Sequence, residues 1–350
     1  MKSGLYGLFC TLQKRKIVKN RDETCALPLK YGELAFKRFI VPTGLFSHRS
    51  CFEHITDERS PESPLRIESI EERLVASGLY QAFKHIESQR QATDADILRA
   101  HDESYLTLVK NKVPKTEGEM AYICEDTALC SGSLNAALQS AGCVLDAVDT
   151  VTNNKLRNAF CMVRPPGHHA HRNGAGGFCI FNNVAIAALY AIEVLKLNSI
   201  VIIDFDAHHG DGTEDIVKNH PKIEFFSLFQ EGIFPHVGGG FSAPNIHNEA
   251  LSSGATGDEA CEIIRNVWAP IIEKKKPELI LISAGFDGHA NEVMAQLDFS
   301  DLDFAHITRV IDDIAHVVCD GRIVSVLEGG YECRSLARSV VAHIRTLAHL

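Results

Sequence analysis

Five short apolar runs stand out along the chain: NAFCMV with its core at 159–163, SIVII at 199–203, IEFFSL at 223–228, LILIS at 279–283 and RIVSV at 322–326. They are rich in β-branched and aromatic residues and show no alternating polar face. Each therefore predicts a strand of a parallel sheet that is covered on both sides. Between them, apolar positions recur with the helical period. Leu134, Ala137, Leu138, Ala141, Leu145 and Val148 predict one helix, with Ser131 or Ser133 as its N-cap. Val184, Ala187, Ala188, Ala191, Ile192 and Leu195 predict a second, and Phe304, Ile307, Val310, Ile311, Ile314 and Val317 a third. Strand and helix alternate, which predicts an α/β fold: a single domain over 41–350, with a central, mostly parallel sheet flanked by helices. No linker, repeat or low-complexity stretch divides that span. Residues 1–40 are less patterned and are expected to form an N-terminal extension, packed or flexible.

Each predicted strand runs into a polar, glycine-rich loop: RPPGHHAHRNGAGGF, DFDAHHGDG, FQEGIFPHVGGG, AGFDGHANE and LEGGY. Ligands of parallel α/β sheets bind beyond the carboxyl ends of the strands, so five loops are expected to converge on one rim.

Composition narrows the class. Of 350 residues, 45% are hydrophobic and 23% charged, as in an ordinary globular protein, and the formal net charge of −10 argues against a nucleic-acid footprint. No apolar run approaches the length of a membrane span, and the first residues lack a classical export signal. Eleven cysteines, an odd number with no CxxC pair, predict reduced thiols and a reducing compartment, cytoplasmic or nuclear.

The candidate chemistry is concentrated in the loops. DFDAHHGDG places three carboxylates and two imidazoles directly after a buried strand, where they must be satisfied by one another, by water or by a cation. Asp206 and His208 lean to the same side of the strand end, and Asp287 reaches the same point from another strand. Two carboxylates and one imidazole with an open position suit a catalytic Zn²⁺; Fe²⁺, Mn²⁺ and Co²⁺ also match the ligand types. Taken singly, any of these residues is more ordinary as a cap or a surface group. His168 and His169 follow the stiff turn Pro165-Pro166-Gly167 and are open to three uses: metal binding, acid/base work or simple exposure. Asp204 and Asp211 are not needed as metal ligands, so each can orient one imidazole, which favours the acid/base use.

RPPGHHAHRNGAGGFCIFNNVAIAA, VIIDFDAHHGDGT, SLFQEGIFPHVGGG, SAGFD and LEGGY resemble the successive signatures of the zinc-dependent histone deacetylase family, closer to its class II and bacterial amidohydrolase-like branch. FEHITDERSPESPLRIESI and ATDADILRAHDESYL are similar to that family's N-terminal signatures, so the resemblance covers about 43–345. It implies an arginase/deacetylase fold, one catalytic Zn²⁺ on Asp206, His208 and Asp287, an acid/base pair in His168 and His169, and an electrophilic hydroxyl on Tyr331. It implies further that Gly177, Phe178 and Phe234 line an acyl-lysine tunnel, and that Asp204, Asp206, His208, Ser227 and Leu228 hold a structural K⁺. The chain departs from the family after Asp287, where Gly288-His289-Ala290-Asn291-Glu292-Val293-Met294 replaces an acidic turn ending in Asp-Pro-Leu. Met294 best matches the apolar rim residue. Polyamine-selective relatives place a glutamate near this rim, and Glu292 is close to that place but out of register.

The implied reaction is hydrolysis of Nε-acetyl-lysine in proteins or peptides, histone tails among them, which bears on lysine deacetylation and chromatin regulation. An acetylpolyamine amidohydrolase would use the same chemistry. A ureohydrolase on the same fold would need a second set of metal ligands, and a non-catalytic acyl-lysine scaffold would not need all the metal, histidine and tyrosine positions kept.

Overall fold

The computed structural model describes residues 42–350, so the extension expected over 1–40 lies outside the described residues. The strands are β1 (Gly44–Ser47), β2 (Lys84–Glu87), β3 (Ala121–Tyr122), β4 (Ala128–Leu129), β5 (Asn158–Cys161), β6 (Ile200–Asp204), β7 (Ile223–Gln230), β8 (Ile246–Leu251), β9 (Leu279–Ala284) and β10 (Ile323–Leu327). Eight of them form one sheet in the order β2-β1-β5-β10-β9-β6-β7-β8, while β3 and β4 make a small antiparallel pair. Every pairing in the eight-stranded sheet is parallel. The five strands predicted from apolar runs are its contiguous middle, and each of them is buried at every position.

The chain order places the site. After β5 the chain crosses to β6, moves outward through β7 and β8, and returns to insert β9 and β10 between β6 and β5. The loops that leave β5 and β6 therefore separate over the β10–β9 pair, the kind of switch point at which parallel sheets bind ligands.

The three predicted helices are present as Ser133–Thr152, Asn183–Glu193 and Asp301–Cys319. Three details differ from expectation. Neither Ser131 nor Ser133 caps the first helix: Gly132 is its N-cap without a side-chain bond. The Ser133 hydroxyl instead accepts from the Cys130 amide at 2.7 Å and meets Nδ1 of His54 at 2.8 Å. Leu195 lies beyond the end of the second helix. Val317 is 74% exposed, because the buried face of the third helix runs on through Ala315 and Cys319 and leaves Val317 outside it. That helix begins with a capping box, Ser300 with Asp303, which a reading by apolar period passes over.

Among the described residues, no helix is long and apolar enough to cross a membrane. The nine cysteines among them are all free.

His343 sits in the core beside Phe160, Phe205 and Phe286, bonded to Thr308 Oγ1 at 2.6 Å and Ser325 Oγ at 2.9 Å. Burial lowers its pKa to about 3. The unfolded chain therefore binds a proton there that the folded chain refuses, and stability falls as pH drops below the unfolded value near 6.5. One such group costs about 1.4 kcal/mol per pH unit over that window. Denaturant unfolding of His343→Phe between pH 4 and 6 should show a slope shallower by about that amount than the parent protein. Equal slopes would contradict the assignment.

Candidate metal centre and active site

The ends of β6 and β9 bring Asp206, His208 and Asp287 together, with candidate ligand atoms of all three within 4.8 Å of one another and all three residues buried. Nδ1 of His208 lies 3.0 Å from Oδ1 of Asp206 and 2.9 Å from Oδ2 of Asp287. Backbone amides aim the carboxylates: Ala207 N–H donates to Oδ1 of Asp287 at 2.8 Å, and Gly329 N–H to Oδ2 of Asp206 at 2.8 Å. The packing allows no side chain at Gly329 or Gly285. A Cβ on Gly329 would overlap Oδ2 of both aspartates, and one on Gly285 would overlap Oδ2 of Asp206. Burial opposes a charged His208, yet Asp287 and Asp206 outweigh it and raise its pKa to about 10. An oxygen, nitrogen and oxygen donor set held in a glycine-walled cradle that demands positive charge fits a divalent ion of the zinc type.

Two imidazoles stand beside this cluster, with ring centroids 3.9 Å apart. Each has its own carboxylate. His168 Nδ1 is 3.0 Å from Oδ2 of Asp204, and His169 Nδ1 is 2.7 Å from Oδ1 of Asp211. Their electrostatics diverge. Burial works against a charged His168, but Asp206 and Asp204 outweigh it and hold its pKa well above the usual imidazole range. His169 is lowered to about 4 by burial and by the charge of His168, against the pull of Asp211. A pair of adjacent groups pushed in opposite directions is a pattern found at acid/base sites.

Tyr331 follows Gly330, whose φ of +113° only glycine adopts readily, and its phenol lies near enough to feel the charges of Asp287 and Asp206. Its ring packs edge-on to Phe178 at 5.6 Å, and the Arg66 guanidinium lies 4.9 Å from the ring centroid. Burial raises the phenol's pKa well above its ordinary value, with Arg66 opposing, so the hydroxyl keeps its proton. Phe234 packs on His169 at 4.9 Å and is 39% exposed, so it stands between the imidazoles and solvent. Gly177, at φ +52°, leaves room for the ring of His169, and Phe178 follows at φ +68°. Met294 is partly exposed and Val293 beside it is 84% exposed. Ser227 and Leu228 lie on β7, with Ser227 opposite Asp204 of β6.

Several side chains around this centre were not singled out in the sequence, although Arg66 and Glu328 fall within quoted signatures. Arg66 donates to the carbonyls of Glu328 and Gly330. Asp126 accepts from the Gly177 amide at 3.0 Å. Glu328 accepts from the amides of Gly167 and His168, and burial raises its pKa to about 7. Arg66 stands in the first turn of the helix Leu65–Ala76, inside the upstream signature FEHITDERSPESPLRIESI, and Asp126 lies just before β4; neither was singled out as a site residue. His171 was not singled out either, although HHAH sets it two residues after His169: its Nε2 contacts the second oxygen of Asp211 at 3.0 Å, so that carboxylate serves two imidazoles.

On a parallel α/β domain, two carboxylate-backed histidines and a tyrosine beside an Asp-His-Asp cluster suit hydrolysis of an amide. Comparison with known proteins places it more closely. A family model described as "Histone deacetylase domain" matches residues 60–347, and the chain belongs to the histone deacetylase family. It is 35% identical over 301 residues to polyamine deacetylase HDAC10 of Danio rerio, covering 82% of this chain and 44% of that protein. It is 33% identical over 310 residues to the chloroplastic histone deacetylase 14 of Arabidopsis thaliana, covering 83% and 73%. A probable deacetylase of Archaeoglobus fulgidus is 33% identical over 297 residues, covering 83% and 81%. The crystal structure of the HDA15 HD domain superposes with a TM-score of 0.81 at 27% identity, over 88% of this chain and 89% of that one. The chain thus spans less than half of the HDAC10 relative and most of the plant and archaeal ones.

Proposed function

We propose that this protein is a zinc-dependent deacetylase that hydrolyses the Nε-acetyl-lysine amide of proteins or peptides, histone tails among its candidate substrates. The observation that carries this reading is the geometry of one centre: the Asp206, His208 and Asp287 donors lie beside the His169–Asp211 and His168–Asp204 pairs, with Tyr331 turned toward them. Zn²⁺ bound there supplies a Lewis acid that polarises the acyl carbonyl and acidifies water. His169, neutral and oriented by Asp211, takes the water proton at Nε2 and returns it to the leaving amine. His168, kept charged by Asp204 and Asp206, offsets the negative charge that develops. Tyr331 donates its phenolic proton in a hydrogen bond to the developing oxyanion. Phe178 and Phe234 flank the lysine methylenes, while Gly177 beside Phe178 leaves room for the His169 ring. A structural K⁺ on Asp204, Asp206, His208, Ser227 and Leu228 rests on the family resemblance alone. The free cysteines suit a reducing compartment, cytoplasmic or nuclear.

Lysine rather than a polyamine is favoured by Glu292. Both of its oxygens accept from backbone amides, those of Val293, Tyr331 and Glu332, which leaves no rim carboxylate there for a polycation. The polyamine reading draws on the name of the Danio rerio relative and on a cavity of about 320 Å³ beside Phe178 that includes Asp57 and Asp126. A competition assay separates the two. With metal-loaded protein, kcat/KM for an acetyl-lysine peptide should exceed that for acetylspermidine by on the order of 10-fold or more, the size expected where one contact decides between substrates. The reverse preference would establish the polyamine reading.

A further inference from the structure

The structure assigns Glu292 a positioning role for Tyr331, a role that rests on the function proposed above. The loop after Asp287 is short and held at several points. Ala290 N–H donates to the Phe299 carbonyl at 2.8 Å, and Phe299 N–H to that of Gly288 at 3.2 Å. Asn291 N–H donates to Nδ1 of His289 at 3.0 Å, and Nε2 of His289 meets Oδ1 of Asp301 at 3.2 Å. Glu292 therefore enters the site from a fixed base, five positions after a candidate metal ligand.

Glu292 as a whole is 9% exposed, and each of the three hydrogen bonds to its carboxylate comes from a backbone amide. Oε2 accepts from Tyr331 N–H at 2.7 Å and from Glu332 N–H at 3.0 Å, and Oε1 accepts from Val293 N–H at 2.8 Å. Amide bonds to a charged acceptor are about twice as strong as neutral ones, so this grip is firm for a loop. It is not needed to cap the helix that follows. The Glu332 side chain already caps Cys333–Leu347 by accepting from the Arg334 and Ser335 amides. What Glu292 holds is the segment before the helix, which carries the phenol.

The same segment is gripped from two other sides. Arg66 Nε donates to the Gly330 carbonyl at 2.7 Å, and Asp206 accepts from Gly329 N–H at 2.8 Å. Glycines at 329 and 330 leave this stretch free to swing unless its polar groups are pinned. Asp206 pins it from β6, and Glu292 pins it from the loop after β9. The height of the Tyr331 hydroxyl over the metal ligands is thus set by two elements that carry those ligands. Small displacements of a donor in such a site cost up to about 10²-fold in rate.

A double-mutant cycle on the full-length, metal-loaded protein tests this, with an acetyl-lysine peptide as substrate. Glu292→Ala should lower kcat on the order of 10-fold with KM within about twofold and metal content unchanged. Once the hydroxyl is gone its placement no longer matters, so adding Glu292→Ala to Tyr331→Phe should cost little more than Tyr331→Phe alone. The isosteric Glu292→Gln keeps one acceptor oxygen and should fall between wild type and Glu292→Ala, which keeps the test open if the alanine variant folds poorly. Losses that multiply in the double variant, or metal lost from Glu292→Ala, would overturn the role while leaving the proposed function intact. A wild type that does not turn over the peptide would overturn that function and this role with it.

Discussion

Asp287→Ala should release the metal and abolish turnover together. Asp287 provides one of only two carboxylates in the cluster, and its Oδ2 is 2.9 Å from the imidazole nitrogen that would share the ion. Its other oxygen accepts from the Ala207 amide, so the side chain also fixes the turn between Asp206 and His208. Loss of a mere outer partner of a metal ligand typically costs 10–100-fold in affinity or activity, and loss of a ligand costs more. We expect turnover to fall on the order of 10³-fold, and metal per chain, measured on the purified protein by elemental analysis, to fall well below one. Chelation should lower the melting temperature of the wild type and leave that of Asp287→Ala almost unchanged, because a ligand that binds only the folded state stabilises it by mass action. A variant that keeps stoichiometric metal would remove Asp287 from the centre.

This centre was unusually legible in the chain because its parts sit at strand ends. SIVII, LILIS and RIVSV are continuous apolar runs that only a doubly covered sheet can bury, and the polar residues that follow each run have one rim to occupy. The structure keeps that relation: Asp206 and His208 follow β6, Asp287 follows β9, and Tyr331 follows β10. The pairing of each imidazole with its own aspartate was open in the sequence, since His168 and His169 are adjacent and both aspartates lie in one loop. It is resolved only by the three-dimensional path, which places Asp204 under His168 and Asp211 beside His169.

The sheet's flanks were not legible. β2 is mostly exposed, β8 is only partly buried between its two ends, and β1, GLFS, is a short strand with no β-branched residue. Edge strands need little apolar surface, so their sequences resemble loops. Arg66 lies within a quoted upstream signature, but its role was not legible. Its guanidinium is fully buried, yet it acts through backbone carbonyls some 260 positions away in sequence, at Glu328 and Gly330. Glu292 was visible only as a residue close in sequence to a substrate rim but out of register with it; its carboxylate turns inward to the amides of Tyr331 and Glu332. Only the fold reveals which polar atoms a buried carboxylate must satisfy.

His169→Ala should keep the metal and lose the reaction. His169 does not belong to the Asp206, His208 and Asp287 donor set, so metal content should stay near that of the wild type. The imidazole is the group placed to carry a proton: Nδ1 is fixed by Asp211 at 2.7 Å, which leaves Nε2 for substrate and water, and Phe234 covers its face. Positioned acid/base groups contribute about 10²–10⁴-fold, and we expect kcat to fall within that range. The pH profile supplies a second readout. A base works in its unprotonated form, so kcat/KM should rise with pH through the pKa of His169. Burial and the charge of His168 place that value at about 4, below the ordinary imidazole. The acidic limb of the wild type should therefore lie below pH 6, and the residual activity of His169→Ala should lack it. The limb would survive in His169→Ala if His168 were the base instead, and near-normal rates in that variant would leave the reaction without the base assigned here.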